Sequence, residues 1–298
     1  MALWIPITLA AAAVQTLRFM LQKRLKGAGL SVGGATFSRF LFGAPLAALA
    51  TAVTLAATGA AFPPLTPAFW AFALAGGAAQ VAATYMTVAL FGMRNFAVGV
   101  VFTKTETVQV AAFSALLLGE AVSLGGWAAI AVGLAGVLAL SWQPGAAQGG
   151  MLSRATLYGV AAGGLFGLSA IGYRGATLEL APAAFFTRAV VTLACVTFAQ
   201  SLGMAAWLVW REPGELPRVV AAWRRTVWVG VTGMLGSLAW FTAFALQNAA
   251  YVRALGQVEI VFTLLVSVLV FREKLTAREG AGIALVIGSV IALVLLLA

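Results

Sequence analysis

"GVVFTKTETVQVAAFSALLLGEAVS", residues 99–123, is the stretch on which the reading of the fold turns. It is long and apolar enough to cross a bilayer as a helix of roughly 20 residues, yet it carries Lys104 and Glu106 within the run. A second stretch, "ALGQVEIVFTLLVSVLVFREKLT" at residues 254–276, aligns with it without a gap. Glu106 falls on Glu259, Glu120 on Glu273 and Ser123 on Thr276. The preceding breaks "FGMRN" and "FALQN" place Asn95 on Asn248, all at one offset of 153. Polar positions that agree inside apolar sequence mark an internal duplication.

The rest of the chain fits a membrane protein built on that duplication. Of its 298 residues 62% are hydrophobic and 9% charged, where a soluble surface needs about a quarter charged. Apolar blocks recur at residues 3–22, 33–58, 68–92, 96–118, 122–142, 155–173, 183–210, 224–248, 252–271 and 276–297. They are continuously apolar, without the alternation of a membrane barrel strand. The expectation is an all-α polytopic membrane protein of ten transmembrane helices. Near the front of each half, "ATFSRF" with Arg39 resembles "AFFTRA" with Arg188. The chain thus divides into two five-helix copies, residues 1–145 and 146–298. Five is odd, so the copies enter the membrane in opposite orientations around a central cavity, the inverted-repeat plan of secondary transporters.

Composition also excludes chemistries. There is no His, all 8 acidic residues are glutamates, and Cys195 is the one cysteine. That removes an internal disulfide, a thiolate metal cluster and most hydrolase or acyltransferase machinery, so neither enzyme activity, cofactor nor metal is expected. The net charge of +10 comes from 18 basic residues spread over helix ends and loops, which points to membrane orientation rather than nucleic acid. The first apolar run is followed, not preceded, by Lys23, Arg24 and Lys26, and reads as a retained helix rather than a signal peptide.

The candidate site residues are polar groups inside these helices. A carboxylate near the middle of a membrane span faces a wet cavity, pairs with a cation or holds a proton. Glu106, with Thr103 and Gln109 on its face, and Glu259, with Thr263 one turn on, are the leading pair. They could bind a substrate ammonium or exchange a proton for it, or form an ion pair such as Glu106 with Arg18, Lys104 or Arg253. Without His, a proton switch near neutral pH requires a desolvated carboxyl group. Gln15, Arg18 and Gln22 form one face of the first helix, where Arg18 either binds a substrate carboxylate or snorkels to the interface. Gln80, Thr84 and Thr87 form a stripe in the third helix with Tyr85 beside it. Ser237, Trp240, Phe241 and Phe244 mix a hydroxyl with aromatic rings in the eighth. Arg39 and Arg188, near the starts of their spans, read as headgroup anchors or caps of neighbouring helices. Glu120 and Glu273 lie at helix ends before the N-cap candidates Ser123 and Thr276 and report fold rather than chemistry. Trp4, Trp70, Trp142, Trp207, Trp210, Trp223 and Trp228 read as interfacial belts, and Gly126, Gly133, Gly136, Gly282 and Gly288 as close helix contacts.

The ends of the two halves, "LLLGEAVSLGGWAAIAVGLAGVLAL" and "LVFREKLTAREGAGIALVIGSVIALV", resemble the EamA-type members of the drug/metabolite transporter superfamily, most closely the aromatic and neutral amino acid exporters. The chain departs from that pattern after the membrane glutamates, where Thr107 and Ile260 stand in place of a frequent mid-helix proline. The resemblance implies a cavity lined by helices 1, 3, 4, 6, 8 and 9 and export of amino acids or similar metabolites across a bacterial inner (plasma) membrane. Its partners would be a small-molecule substrate, protons as a coupling candidate, and the surrounding lipid, with a monomer sufficient. Efflux of hydrophobic cations is the alternative within transport; a channel or lipid scramblase is the alternative of another class.

Nearly all loop Lys and Arg, from Lys23 and Arg24 through Arg94, Arg154, Arg218 and Arg225 to Arg272 and Lys274, fall in connections on one side. The positive-inside rule then puts both termini away from the cytoplasm, whereas the resemblance implies termini inside. The charge asymmetry is large and begins at the first helix, which favours termini away from the cytoplasm. A C-terminal alkaline phosphatase fusion is expected to be active and a C-terminal green fluorescent fusion dark; a bright green fusion overturns this topology.

Overall fold

The protein, seen in a computed structural model, is described for residues 2–27, 29–90, 103, 105–141, 154–262, 264–265 and 277–296. Among these residues the regular secondary structure is all helix, joined by short turns and loops. The helices are α1 Trp4–Gly27, α2 Val32–Thr58, α3 Pro67–Leu90, α4 Glu106–Leu118, α5 Leu124–Ser141 and α6 Arg154–Glu179. They continue with α7 Phe185–Arg211, α8 Glu215–Ala221, α9 Trp223–Leu246, α10 Ala249–Leu255, which runs into a 3₁₀ turn at Gly256–Val258, and α11 Ala277–Leu296. Five of them, α1, α2, α3, α7 and α9, have the length and hydropathy of membrane spans, and α4, α5 and α11 are shorter apolar helices. In hydrocarbon every backbone N–H and C=O must be satisfied within the segment, so apolar runs of this length form helices. Lys104, Thr263, Glu273, Thr276 and Trp142 lie outside the described residues.

Local signals set the ends. Ser31 caps α2 by accepting from Gly34 N at 2.9 Å, and the helix stops at Gly59, whose φ of 64° suits glycine. α3 opens on Pro67, whose missing N–H costs nothing there, and Thr66 accepts from Phe69 N at 3.0 Å. Ser123 accepts from Gly126 N at 3.1 Å at the head of α5, as expected. The short α8 in the loop after α7 was not expected from sequence; its seven residues are too few to show helical periodicity against the apolar spans around them.

Packing pairs the helices across the two halves. α3 packs most extensively on α6, α1 on α9, α2 on α7 and α5 on α11. Exchanging the first five membrane helices for the second five maps each pairing onto itself or onto another. Small residues allow the closest approaches. A Cβ on Gly172 of α6 would lie 2.6 Å from Gly76 Cα in α3, and one on Gly136 of α5 would lie 2.9 Å from the Gly282 carbonyl oxygen in α11. Gly288, expected to make such a contact, has none within 4 Å.

Polar contacts tie neighbouring elements together at both ends of the bundle. On the basic side, the α7–α8 corner turns Glu212 and Glu215 onto the start of α2: Ser31 N donates to Glu215 Oε1 at 2.6 Å, and the Ser31 hydroxyl donates to Glu212. Carboxylates at a helix N-terminus complement its exposed amides and dipole. On the other side Arg174 of α6 donates to Glu120 at 2.7 Å and to the Phe244 carbonyl at 2.6 Å. Arg188 donates to the Ala245 carbonyl at 3.2 Å, the neighbouring-helix cap expected of it. Trp210, Trp223 and Trp228 are exposed as belt residues should be, whereas Trp4 is buried at 4% exposure in the core, because α1 begins beneath neighbouring helices.

Candidate functional site

Ionisable side chains from α1, α2, α4, α10 and the turn after α10 meet at the centre of the bundle. Arg18, Arg39, Glu106 and Glu259 are 2%, 7%, 4% and 3% exposed, and the Arg253 side chain is 11% exposed. Glu106, at the first residue of α4, forms an ion pair with Arg253 of α10. That guanidinium also lies over the Trp240 ring, 4.7 Å from its centroid, in a cation–π arrangement. Of the partners considered from sequence for Glu106, Arg253 is in place, and Lys104 lies outside the described residues.

Gln15 joins this pair to the other glutamate. Its amide nitrogen donates to Glu259 Oε2 at 3.1 Å, and its amide oxygen accepts from the Trp240 indole N–H at 3.0 Å. Phe244 stacks on Trp240 with ring centroids 6.0 Å apart. Next to them Gln257 donates to Thr107 at 3.1 Å. Thr107 therefore links α4 to the turn below α10.

The second half of the site is built on Arg39. It donates to Thr84 at 3.2 Å and Ser237 at 3.0 Å. The hydrogen-bonding environment orients Gln80 with its amide oxygen toward Arg39, accepting at 2.8 and 3.1 Å, and its nitrogen toward Ser169. Tyr173 continues the chain by accepting from Gln200 at 3.2 Å. The expectation that Arg39 anchors to headgroups is overturned: it lies seven residues into α2, about 10 Å of helix from the start, and turns inward.

Arg18 is likewise not at the interface. It is fully enclosed, donates to Gln22 at 2.6 Å and lies over the Phe19 ring at 4.3 Å, which removes the snorkelling alternative. It interacts electrostatically with Arg39, Glu259 and Arg253, while its Nη2 has no hydrogen-bond partner.

Two small adjoining cavities lie within this network. One, of about 10 Å³, is lined by Glu106, Thr107, Trp240, Arg253, Gln257 and Glu259. The other, of about 20 Å³, is lined by Gln15, Arg39, Gln80, Ser237, Arg253 and aromatic rings including Trp240, Phe241 and Phe244. Each has room for about one water, so this conformation is closed. A much larger cavity, about 580 Å³, is elsewhere: an apolar groove between α3 and α7.

Of the residues singled out from sequence, the structure brings Glu106, Glu259, Gln15, Thr84, Trp240 and Phe244 together, with Arg18 behind them, and places Tyr85 elsewhere. Tyr85 follows Thr84 by one residue, about 100° round the helix, and lines the apolar groove against Trp207, rings 5.7 Å apart. Thr103 is buried, but it lines neither central cavity; its carbonyl oxygen would lie 2.8 Å from a Cβ on Gly163 of α6. Gln109 also leaves the site, bonding Thr105 at 3.2 Å beside Gly164. Ser169, Tyr173 and Gln257 were missed. A usable signal existed for the first two, polar groups four residues apart on the glycine-rich "LFGLSAIGYRG" of α6.

Comparison with known proteins agrees with this architecture. Residues 153–295 match the model of the EamA-like transporter family. A solved crystal structure is similar over 99% of this chain and 98% of its own, with a TM-score of 0.72 at 15% identity, which bears on fold alone. No curated protein matches the sequence.

The Glu106–Arg253 contact joins α4 to α10 across the bundle, and a double-mutant cycle with Glu106→Gln and Arg253→Gln measures it. Thermal or denaturant unfolding in detergent is expected to give a coupling energy of about 1–3 kcal/mol. Additive effects of the two substitutions contradict the pair.

Proposed function

We propose, for a chain that belongs to the EamA-like transporter family, that the central polar site carries small carboxylate-bearing metabolites out of a bacterial cell across the inner membrane by alternating access, neutral and aromatic amino acids being the first class to test. The observation that carries this reading is the closed site itself. Buried charges and a wall of aromatic rings enclose cavities of about 10 and 20 Å³, too small for a metabolite. A solute enters only when the walls part.

The two ties at the ends of the bundle are the natural places for that. Opening the Ser31–Glu212–Glu215 contacts frees the basic side, and opening the Arg174–Glu120 contact frees the other. Residues 1–145 and 146–298 then serve as the inverted units that rock about the site. One chain supplies both, so a monomer suffices. Efflux of hydrophobic cations is less well supported, since the guanidiniums of Arg39 and Arg253 line the cavities, with Arg18 behind them, and repel a cation.

Proteoliposomes loaded with a mixed pool of labelled amino acids under an imposed pH gradient test this. Selective release of a few members, lost in Glu106→Gln, is the expected outcome. No release above empty liposomes sinks the amino acid class.

A further inference from the structure

We propose that the solute held by this site is a net anion whose carboxylate seats on Arg39, so that within the carboxylate-bearing class monoanions rank ahead of zwitterions. The inference rests on the transport reading above and concerns the same site. It follows from how the buried charges are matched.

Among the described residues the centre holds three guanidiniums, Arg18, Arg39 and Arg253, against two carboxylates, Glu106 and Glu259. Glu106 is engaged by Arg253. Glu259 receives the Gln15 amide and lies within electrostatic reach of Arg18. Arg39 donates to Thr84, Ser237 and Gln80, all neutral oxygens. Positive charge is therefore in excess on the Arg18–Arg39 side, and the unpartnered Arg18 Nη2 is a second, independent sign of it. The two side chains are neighbours: a Cβ on Gly233 of α9 would lie 2.9 Å from Arg39 Cγ and 3.5 Å from Arg18 Cδ.

Burying a guanidinium without a counter-charge is costly, and the cost falls when an anion arrives with good geometry. Arg39 offers the planar fork that grips a carboxylate through two parallel bonds, and it lines the cavity directly. The neutral oxygens now on it are ligands that a carboxylate can displace. Arg18 lines neither cavity; it contributes positive potential from behind. Beyond Arg39 the same cavity is walled by Trp240, Phe241, Phe244 and Tyr173, which suits a ring on the solute.

An added ammonium group has no comparable seat. Both glutamates are already engaged, and Arg253 lies between the aromatic wall and Glu106. The charge balance also gives the carrier a reason to close when loaded: the anion stabilises the closed site more than the open one, and that differential is what shifts a conformational equilibrium.

Three probes that share one ring separate the alternatives: phenylacetate, phenylalanine and phenethylamine, with net charges of about −1, 0 and +1 at neutral pH. Binding to the purified full-length protein and uptake into proteoliposomes are measured for each. Phenylacetate is expected to bind and move best, with binding weakened roughly ten- to hundredfold in Arg39→Gln and partly kept in Arg39→Lys. Comparison of the probes on the unsubstituted protein does not depend on whether either variant folds. Movement of phenylalanine or phenethylamine with phenylacetate inert overturns the anionic class and leaves transport standing. Movement of none of the three overturns both.

Discussion

Charge buried in the middle of a membrane helix bundle is the constraint from which the rest of this structure follows. An ionised group at bilayer depth is tolerated only among partners or beside a wet cavity. The chain meets that condition by bringing α1, α2, α4, α9 and α10 together around Glu106, Arg253, Glu259, Gln15 and Arg39. Trp240 is the hinge of the arrangement, since its indole N–H holds Gln15 while its ring face carries the Arg253 guanidinium. Each of these five groups has its place because another element supplies a partner.

The surrounding helices make that cluster possible by approaching one another closely at glycines. Gly76 against Gly172 brings α3 onto α6, and through it Gln80 reaches Ser169. The same pair delivers Thr84 to Arg39. Ion pairs and capping carboxylates sit at the two ends of the bundle, where water can replace a lost partner. The packed glycines hold the scaffold, while the end contacts are cheap to break. This division would let the bundle open at either end without unfolding, as the proposed transport requires.

Much of this was legible in the sequence because membrane helices leave few choices. Continuous apolar blocks set the fold class, and the offset that joins Glu106 to Glu259 exposed the duplication. Polar residues inside such blocks, Gln15, Thr84 and Trp240 among them, had few destinations other than the centre. What remained hidden depended on rotation and partnership between helices. Arg39 looked like an anchor because linear distance from the start of a span does not say which way a side chain turns. Tyr85 looked like a wall residue because a stripe of nearby polar groups does not resolve neighbours about 100° apart. The Gln15–Glu259 bond joins residues 244 positions apart, and nothing local encodes it.

The claim at the centre of this account is that one enclosed polar site is reachable from each side of the membrane in turn. Ser237, which lines the cavity and accepts from Arg39, is a direct reporter of it. In a Cys195→Ser background, Ser237→Cys in sealed proteoliposomes is exposed to a membrane-impermeant thiol reagent from either face. The account predicts slow labelling from both faces. Cysteines introduced at Ser31 and Glu215 and oxidised to a disulfide should then abolish labelling from the basic face alone. Labelling that never occurs from one face, or that survives the cross-link on the basic face, contradicts alternating access to this site.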